Sequence, residues 1–180
     1  MNSKLFALIA GISLGVPAWS ADIPRAAPEL TLKLTAGKTL QLDEYKGKVV
    51  ALEFLLTTCS HCQSSSRKLN KLQQEYGSRG FQALGIAVNP MSHMLVPDYV
   101  KDYQLIFPVG HDVPETAHRF LQHPATERLL MPQLVLIDRA GNIRAQHTGD
   151  LEEPKMRAEI EQLLNEPPPA AQTTAAKKKR

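Results

Sequence analysis

The spacing of hydrophobic and polar residues in the first third of the chain predicts a β-hairpin followed by a buried strand. Leu30–Leu34 and Thr39–Leu42 alternate apolar with polar positions, and turn residues separate them at Ala36–Lys38. This is the pattern of the two strands of a hairpin. Val49–Leu56 is a nearly continuous apolar run in which Glu53 is the one polar member. Such a run is typical of a central strand covered on both faces of a sheet.

The rest of the chain alternates predicted helices and strands. Helical spacing predicts a helix over Cys59–Tyr76 that Gly77 ends, and Phe81–Val88 predicts the next strand. The remaining predicted elements are short helices over Pro97–Tyr103 and Pro114–Leu121 with a small strand over Ile106–Val109 between them, a second hairpin of Gln133–Ile137 and Ile143–His147, and an amphipathic helix over Glu152–Asn165. A β-α-β unit followed by a hairpin and a helix predicts the α/β class, with a central mixed β-sheet flanked by helices on both faces.

The first 20 residues have the pattern of an export signal. Lys4 precedes an apolar run over Leu5–Val16, and Pro17–Ser20 ends in the A-x-S pattern of a cleavage site, with Ala18 and Ser20 as its small residues. The run has 12 residues, fewer than the roughly 20 that a membrane-spanning helix needs. We therefore expect residues 1–20 to be a cleaved signal peptide and the protein to be periplasmic or otherwise exported. An N-terminal membrane anchor is the alternative.

The other end of the chain has the composition of a tail. Residues 166–180 contain three consecutive prolines, little apolar bulk and four basic residues at the end. This composition predicts a disordered basic tail. We therefore expect one folded domain over residues 28–165, a size that suits a single domain.

Composition and charge narrow the classes of function. The chain of 180 residues is 43% hydrophobic and 22% charged, which excludes collagen-like, coiled-coil and wholly disordered proteins. The formal charge of +3 includes Lys4 and the four basic residues 177–180, and removing these five charges leaves −2 for the rest of the chain. A slightly acidic body lacks the basic surface that phosphate backbones require, so we expect no nucleic-acid partner.

The two cysteines, Cys59 and Cys62, are the main chemical feature of the sequence. They come just after the predicted central strand and at the start of the next helix. The unpaired amides and the dipole of a helix N-terminus favour an anion, so they favour the thiolate of the first cysteine. His61, as a cation, favours that thiolate further and makes the disulfide a stronger oxidant. The second thiol lies one helical turn on, within reach of the first for a disulfide.

A structural pair of buried cysteines and half of a zinc site are the alternatives for this motif. A zinc site needs two more ligands, and the sequence contains no second C-x-x-C and no H-x-x-x-H motif. In an exported protein, a cysteine pair at a strand-to-helix junction favours thiol-disulfide exchange over a structural role.

Several segments together resemble a known family. They are the Lys46–Val50 entry to the central strand, the Cys59–Cys62 motif, the Phe81–Val88 strand, and Met131–Asp138 followed by Gly141. Over residues 28–165 the chain resembles the exported thioredoxin-fold proteins of the TlpA/ResA type, within the redoxin/AhpC-TSA superfamily. The N-terminal hairpin and the segment Met91–Leu130 also fit this type, which inserts a helix and a strand into the plain thioredoxin fold.

The resemblance implies thiol-disulfide exchange through a redox-active disulfide between Cys59 and Cys62. Cys59 would be the exposed nucleophile and Cys62 the resolving thiol. Pro132 would be a cis-proline that, with Met131, lies beside the backbone of a bound partner chain. Glu53 stands six residues before Cys59, where relatives carry a buried acid, and a buried carboxyl there could take the proton of Cys62.

The chain departs from the family pattern at three positions. Thr58 stands in place of the usual Trp, His61 in place of a proline, and Met131 in place of Thr or Val. The Ser60–His61 dipeptide is similar to that of DsbA-type oxidants, whereas the surrounding domain resembles reductants. The direction of electron flow is therefore open, and a reductant in cytochrome c maturation and a protein of general disulfide handling are both consistent with the resemblance.

Two rival functions share this fold. A peroxiredoxin-like peroxidase needs a proline seven positions and a threonine three positions before its reactive cysteine, and here those positions hold Leu52 and Leu56. A Sco-like copper-binding module is the other rival, because thiolates favour Cu(I). One of five histidines could complete such a site: His93, His111, His118, His123 or His147. That family, however, separates its cysteines by three residues.

We therefore expect an exported thiol-disulfide oxidoreductase whose active site consists of Cys59, Cys62, His61 and Glu53. Its partners would be protein thiols or disulfides and a membrane or periplasmic electron donor or acceptor. We expect no metal and no cofactor besides the redox-active disulfide, and a monomeric protein.

Overall fold

The computed structural model describes residues 22–168. The predicted signal peptide, residues 1–20, and residues 169–180 of the predicted tail lie outside the described residues. Everything said below about the fold refers to the described part of the chain.

Eight strands form one mixed sheet. They are β1 (Arg25–Ala26), β2 (Thr31–Lys33), β3 (Thr39–Gln41), β4 (Val49–Leu55), β5 (Phe81–Ala87), β6 (Val109–His111), β7 (Gln133–Ile137) and β8 (Asn142–Thr148). In space their order is β1-β8-β7-β4-β5-β6-β2-β3. Strand β4 pairs in parallel with β5 and antiparallel with β7. The predicted mixed sheet with a central β4 is therefore confirmed.

Four helices cover the two faces of this sheet. They are α1 (Ser60–Tyr76), α2 (Ser92–Asp102), α3 (Pro114–Leu121) and α4 (Glu153–Asn165). Buried residues of α1, α2 and α4 belong to the core layer on one face, and those of α3 belong to the layer on the other. The predicted arrangement with helices on both faces is confirmed. Within residues 22–168, no helix has the length and apolar character needed to cross a bilayer.

Strand β4 is buried along its whole length. Ala51 and Leu55 belong to the layer that contains α1, whereas Leu52 and Phe54 belong to the opposite layer. Because side chains alternate along a strand, Glu53 points to the same side as Ala51 and Leu55, toward α1. Burial of each Leu or Phe of the strand contributes about 2 kcal/mol to folding. The Glu53 carboxyl is buried among these apolar side chains.

The first predicted hairpin is confirmed, and it extends the sheet at one edge. Leu32 of β2 faces Leu40 of β3, and Lys33 pairs with His111 of β6. Strand β1, at the opposite edge, was not predicted from the sequence. It pairs antiparallel with β8 over two residues, too few to produce a visible alternation of polar and apolar positions.

Two boundaries in the central segment differ from the prediction. Helix α2 begins at Ser92, not at Pro97, because Ser92, Val96 and Tyr99 bury one face of it. That packing outweighs the cost of a proline inside the helix. Strand β6 lies at Val109–His111 rather than over the predicted Ile106–Val109, since Pro108 has no N–H to donate to a neighbouring strand.

The end of α1 also differs in detail from the prediction. Gly77 has a helical φ of −53° and continues into a short 3-10 turn over Gly77–Arg79. Gly80, with a φ of 90°, is the residue that turns the chain into β5. The left-handed conformation that ends a helix is therefore adopted three residues later than expected.

Specific contacts extend the folded part slightly beyond the predicted limits of 28–165. The Arg25 guanidinium donates a hydrogen bond to the Phe120 carbonyl at 3.0 Å. Glu166, the first residue of the predicted tail, forms an ion pair with Arg144 at 2.8 Å. Both ends of the domain are thus held by long-range contacts.

We predict that Gly110→Ala weakens the attachment of the N-terminal hairpin. A Cβ at Gly110 would lie 3.0 Å from the Lys33 carbonyl oxygen and 3.2 Å from the Leu32 Cβ, so the backbone of β2 would have to move. We expect the free energy of unfolding in urea to fall by about 1–3 kcal/mol. Gly77→Ala is the matched control, because there the added Cβ meets only the flexible Gln73 side chain. Equal stability of the two variants would contradict the prediction.

Candidate functional site

Cys59 lies between β4 and α1, at the N-cap position of the helix. The Leu56 carbonyl accepts a hydrogen bond from the Cys59 amide at 3.1 Å, and the Cys59 carbonyl accepts one from the Gln63 amide at 3.0 Å. These bonds hold Cys59 at the positive end of the helix dipole, where a negative charge is favoured. Its side chain is half-buried, so a substrate can reach it.

Cys62 lies one turn further along α1 and is fully buried. The Leu56 amide donates a hydrogen bond to its Sγ at 3.4 Å, and both cysteines are free thiols in this structure. Burial raises the pKa of the Cys62 thiol far above its ordinary value. The Leu56 amide opposes this effect, while the nearby Cys59 and Glu53 side chains add to it. Cys62 therefore needs a proton acceptor before it can react as a thiolate.

Glu53 is fully buried under the first turns of α1, so the expected burial is confirmed. The Ser66 hydroxyl donates a hydrogen bond to Glu53 Oε2 at 2.6 Å. Burial raises the pKa of Glu53 to about 7, and the Ser66 hydrogen bond opposes that rise. A buried carboxyl with such a pKa can exchange a proton near neutral pH.

Ser66 and Tyr99 were missed by the sequence analysis. The Tyr99 hydroxyl lies 2.9 Å from Ser66 Oγ, and both residues are buried. Burial raises the pKa of Tyr99, and the neighbouring Glu53 adds to the effect. One signal for Ser66 was present in the sequence: it follows Cys62 by four residues, and therefore lies on the same face of α1. No local pattern pointed to Tyr99, which comes from α2.

The peptide bond between Met131 and Pro132 is cis, as the resemblance implied. Pro132 directly precedes β7, whose first residue, Gln133, pairs with Phe54 of β4. Strand β7 runs antiparallel to β4. It therefore starts at the end of the sheet where β4 finishes and the chain continues to Cys59. The Pro132 carbonyl accepts a hydrogen bond from the Gly149 amide at 2.8 Å, which fixes this turn against the end of β8.

The loop before Cys59 is held by Asn89, another residue that the sequence analysis missed. Asn89 Oδ1 accepts a hydrogen bond from the Thr57 amide at 2.9 Å. Its Nδ2 donates to the Thr57 hydroxyl at 3.1 Å. Asn89 follows the end of β5. Because β5 is parallel to β4, the loops that follow the two strands lie at the same end of the sheet.

The histidines of residues 22–168 do not gather around the cysteine pair. Among residues 22–168, no three His, Cys, Asp or Glu side chains are grouped closely enough to hold a metal ion. His61 is exposed on the first turn of α1. The other five are paired elsewhere: His93 with His111, His118 with His123, and His147 with Glu159. The arrangement that the copper-binding alternative required is therefore not found in the described part of the chain.

Several proteins similar in sequence are named as thiol-disulfide oxidoreductases. The chain is 31% identical to thiol-disulfide oxidoreductase ResA of Bacillus thuringiensis subsp. konkukian (strain 97-27) over 91 residues, which cover 51% of this chain and 52% of the relative. It is 29% identical to ResA of Bacillus subtilis (strain 168) over 127 residues, 71% of this chain and 68% of the relative. The chain thus spans about half the length of the first relative.

Solved structures confirm the thioredoxin fold. The chain superposes on a thiol:disulfide interchange protein, thioredoxin family protein, from Chlorobium tepidum TLS with a TM-score of 0.69 and 27% identity, covering 81% of this chain and 99% of that one. The thioredoxin domain of a thiol-disulfide oxidoreductase from Bacteroides vulgatus gives a TM-score of 0.67 at 20% identity, covering 81% of this chain and all of that one. The second likeness concerns the fold alone.

The family assignment rests on most of the chain. The Redoxin family model matches residues 24–164, a range that includes both cysteines, Glu53 and the Met131–Pro132 bond. The similarity to ResA proteins confirms the resemblance to the TlpA/ResA type. With the fold, the geometry of the cysteine pair and this match in agreement, the chain belongs to the Redoxin family.

Proposed function

We propose that the protein is a thiol-disulfide oxidoreductase that exchanges disulfides with protein substrates through Cys59 and Cys62. The observation that carries the proposal is the arrangement of the two thiols. Cys59 is half-buried at the N-cap of α1, and Cys62 is buried one turn on against the Leu56 amide. An accessible nucleophile followed by a protected second thiol is what two-step exchange requires. The similarity to ResA proteins supports the same class.

The reaction proceeds in two exchanges. In the reducing direction, the Cys59 thiolate attacks one sulfur of a substrate disulfide; a mixed disulfide forms and one substrate thiolate leaves. Cys62, as a thiolate, then attacks the Cys59 sulfur, so that the Cys59–Cys62 disulfide forms and the second substrate thiolate leaves. The substrate gains two electrons and the cysteine pair loses two. The reverse sequence oxidises a substrate dithiol.

Glu53 is the proton acceptor in the second exchange. Burial makes the ionised form of Cys62 unfavourable, and Glu53 is a buried neighbour whose pKa of about 7 suits proton transfer near neutrality. Transfer of the Cys62 proton leaves a neutral carboxyl beside a thiolate. The buried site then holds one negative charge rather than two, which lowers the cost of forming the attacking species.

Met131 and Pro132 bind the substrate, and His61 adjusts the redox couple. Pro132 carries no N–H and lies at the same end of the sheet as Cys59, so the backbone of a partner chain can pass beside it. His61 is exposed on the first turn of α1. As a cation it stabilises the Cys59 thiolate, and with it the reduced form of the pair.

The two thiols and one carboxyl supply every group that the exchange uses, so the proposal includes no cofactor besides the redox-active disulfide. Export through the predicted signal peptide, a monomeric protein and a membrane or periplasmic electron partner belong to the same proposal. The resemblance to the TlpA/ResA type implies two settings for the activity: reduction of apocytochrome disulfides to thiols in cytochrome c maturation, and general disulfide handling.

We predict different outcomes for the two cysteine variants. Cys59→Ser removes the nucleophile and should reduce insulin-disulfide reduction, with dithiothreitol as the donor, to the uncatalysed rate. Cys62→Ser leaves the first exchange intact and should accumulate mixed disulfides with protein partners, which mass spectrometry can identify. Undiminished activity of Cys59→Ser would rule out the proposed function.

The reduction potential of the Cys59–Cys62 couple should decide the direction of electron flow. Equilibration with glutathione, followed by alkylation of the free thiols, measures it. A potential of about −120 mV would make the protein an oxidant, and one of about −270 mV or lower would make it a reductant. His61→Pro should lower the potential, because proline cannot supply the positive charge by which an imidazolium would stabilise the reduced form.

We predict that Glu53→Gln changes the pH dependence of stability. The pKa of Glu53 is raised from 4.5 to about 7 on folding. The folded state therefore holds a proton that the unfolded state releases, and the resulting stability is lost as the pH rises through this window. The free energy of unfolding of the variant, relative to the wild-type protein, should increase by about 3 kcal/mol between pH 4 and pH 8. A difference that stays constant across this range, measured by urea denaturation, would contradict the prediction.

A further inference from the structure

Two buried hydroxyl groups form a chain that leads from α2 to the Glu53 carboxyl. Tyr99 and Ser66 are joined by a hydrogen bond of 2.9 Å, and Ser66 donates one of 2.6 Å to Glu53 Oε2. Tyr99 is 3% exposed, and the other two residues are completely buried. The three side chains come from α2, α1 and β4, so the chain of hydrogen bonds exists only in the folded protein.

We propose that Ser66 and Tyr99 are positioning residues that keep Glu53 in its proton-accepting form and thereby set the pH at which Cys62 becomes an attacking thiolate. The proposal rests on the proposed function, since it gives the two hydroxyls a part in the same exchange reaction.

The count of hydroxyl hydrogens determines the direction of the chain when Glu53 is ionised. The carboxylate has no hydrogen, so Ser66 gives its single hydroxyl hydrogen to Glu53 Oε2. Ser66 Oγ then accepts the hydrogen of the Tyr99 hydroxyl. Every hydroxyl hydrogen in the chain is paired in this state.

Protonation of Glu53 disturbs this arrangement at either oxygen. A proton on Oε2 places three hydrogens along only two contacts, Glu53–Ser66 and Ser66–Tyr99, so that the hydroxyl hydrogen of either Ser66 or Tyr99 is left without an acceptor within residues 22–168. A proton on Oε1 would also be a buried donor without an acceptor, since that atom has no hydrogen-bond partner in the described part of the chain. A buried donor without an acceptor costs free energy, so the hydroxyl chain favours the carboxylate.

Among residues 22–168, Ser65 is the one other group that lowers the pKa of Glu53, and its effect is smaller than that of Ser66. The polar or titratable side chains that act on it from the packed elements are Cys62, Ser65 and Ser66 of α1, Tyr99 of α2, and Asp150 between β8 and α4. Asp150 raises the pKa of Glu53 and is itself paired with Lys68 at 2.8 Å. Ser65 favours the carboxylate, but its Oγ has no hydrogen-bond partner among the described residues.

The strands beside β4 place no titratable side chain next to Glu53. Glu53 pairs with Gly85 of β5 and Leu134 of β7, and neither residue can titrate. Helix α4 contributes apolar residues to the same layer. The hydroxyl chain is therefore the main feature that opposes the rise in the pKa of Glu53 caused by burial. It also helps Glu53 to release, before the next turnover, the proton that it receives from Cys62.

The test follows the second exchange separately from the first. Reduced full-length protein is mixed rapidly with a limiting amount of dithiobis(nitrobenzoate), an aromatic disulfide whose thionitrobenzoate product is coloured. Attack by Cys59 releases the first thionitrobenzoate and leaves a mixed disulfide. Attack by Cys62 on Cys59 releases the second, so the rate of the second phase, measured against pH, reports the ionisation that Cys62 depends on.

We expect the rate of the second phase in the wild-type protein to rise with pH around the pKa of Glu53, about 7. Ser66→Ala should move the midpoint up by about one pH unit and slow the second phase about fivefold at pH 7, because a hydrogen bond to a carboxylate is lost. Tyr99→Phe should move the midpoint in the same direction by a smaller amount, because the hydrogen bond that Ser66 accepts from Tyr99 strengthens the one that Ser66 donates to Glu53. The double variant should match Ser66→Ala, because Tyr99 acts through Ser66.

Tyr103→Phe is the matched control. Its ring packs against that of Tyr99 with centroids 4.9 Å apart, and the substitution deletes the same atom outside the hydroxyl chain, so its midpoint should equal that of the wild-type protein. An unchanged midpoint in Tyr99→Phe, or an equal shift in Tyr103→Phe, would overturn the proposal. Tyr99→Phe removes only one oxygen atom and should therefore still fold. Its midpoint tests the proposal even if Ser66→Ala does not fold.

Failure of the proposed function would look different. A Cys62→Ser variant should release only the first thionitrobenzoate. If it released the second at the wild-type rate, Cys62 would not resolve the mixed disulfide and the exchange mechanism itself would be wrong. If the second phase depends on Cys62 but its midpoint is the same in all Ser66 and Tyr99 variants, only the positioning role fails.

Discussion

The burial of one carboxyl in the middle of the sheet is the constraint on which the rest of the site depends. Strand β4 lies between β5 and β7 and is covered on both faces, so Glu53 has no access to water. A carboxyl in such a place ionises only at a cost, which hydrogen bonds from neighbouring groups reduce. Helices α1 and α2 meet this need by placing Ser66 and Tyr99 in an otherwise apolar layer. The same cost raises the pKa of Glu53 toward neutrality, which is what the proposed proton transfer from Cys62 requires.

The topology of the sheet brings the remaining parts of the site to one end of its central strands. Strands β4 and β5 are parallel, so the loops that follow them, with Cys59 and Asn89, leave the sheet on the same side. Strand β7 is antiparallel to β4 and begins on that side, which brings Pro132 there as well. These groups of the proposed active site thus come from loops, while their positions depend on paired strands that cannot shift without exposing a buried face.

Local patterns predicted most of the elements, and failed where tertiary packing outweighed them. The uninterrupted apolar run of β4 and the helical spacing of α1 were correct because both elements bury long, regular faces. Pro97 appeared to be the first residue of a helix, but the buried face of α2 begins at Ser92 and tolerates the proline on its exposed side. Ile106 appeared to belong to a strand, yet it is 58% exposed and the strand follows Pro108.

The sequence by itself determined the cysteine pair at a strand-to-helix junction, the acid inside a buried strand and the proline before β7, because each depends on neighbours a few residues away. Only the tertiary structure decided which groups surround the acid and the thiols. Glu53 and Ser66 are 13 residues apart in the chain, Ser66 and Tyr99 are 33 apart, and Thr57 and Asn89 are 32 apart. Contacts over such separations leave no periodic trace in the sequence, since they arise from how the helices pack on the sheet rather than from the spacing of residues within either element.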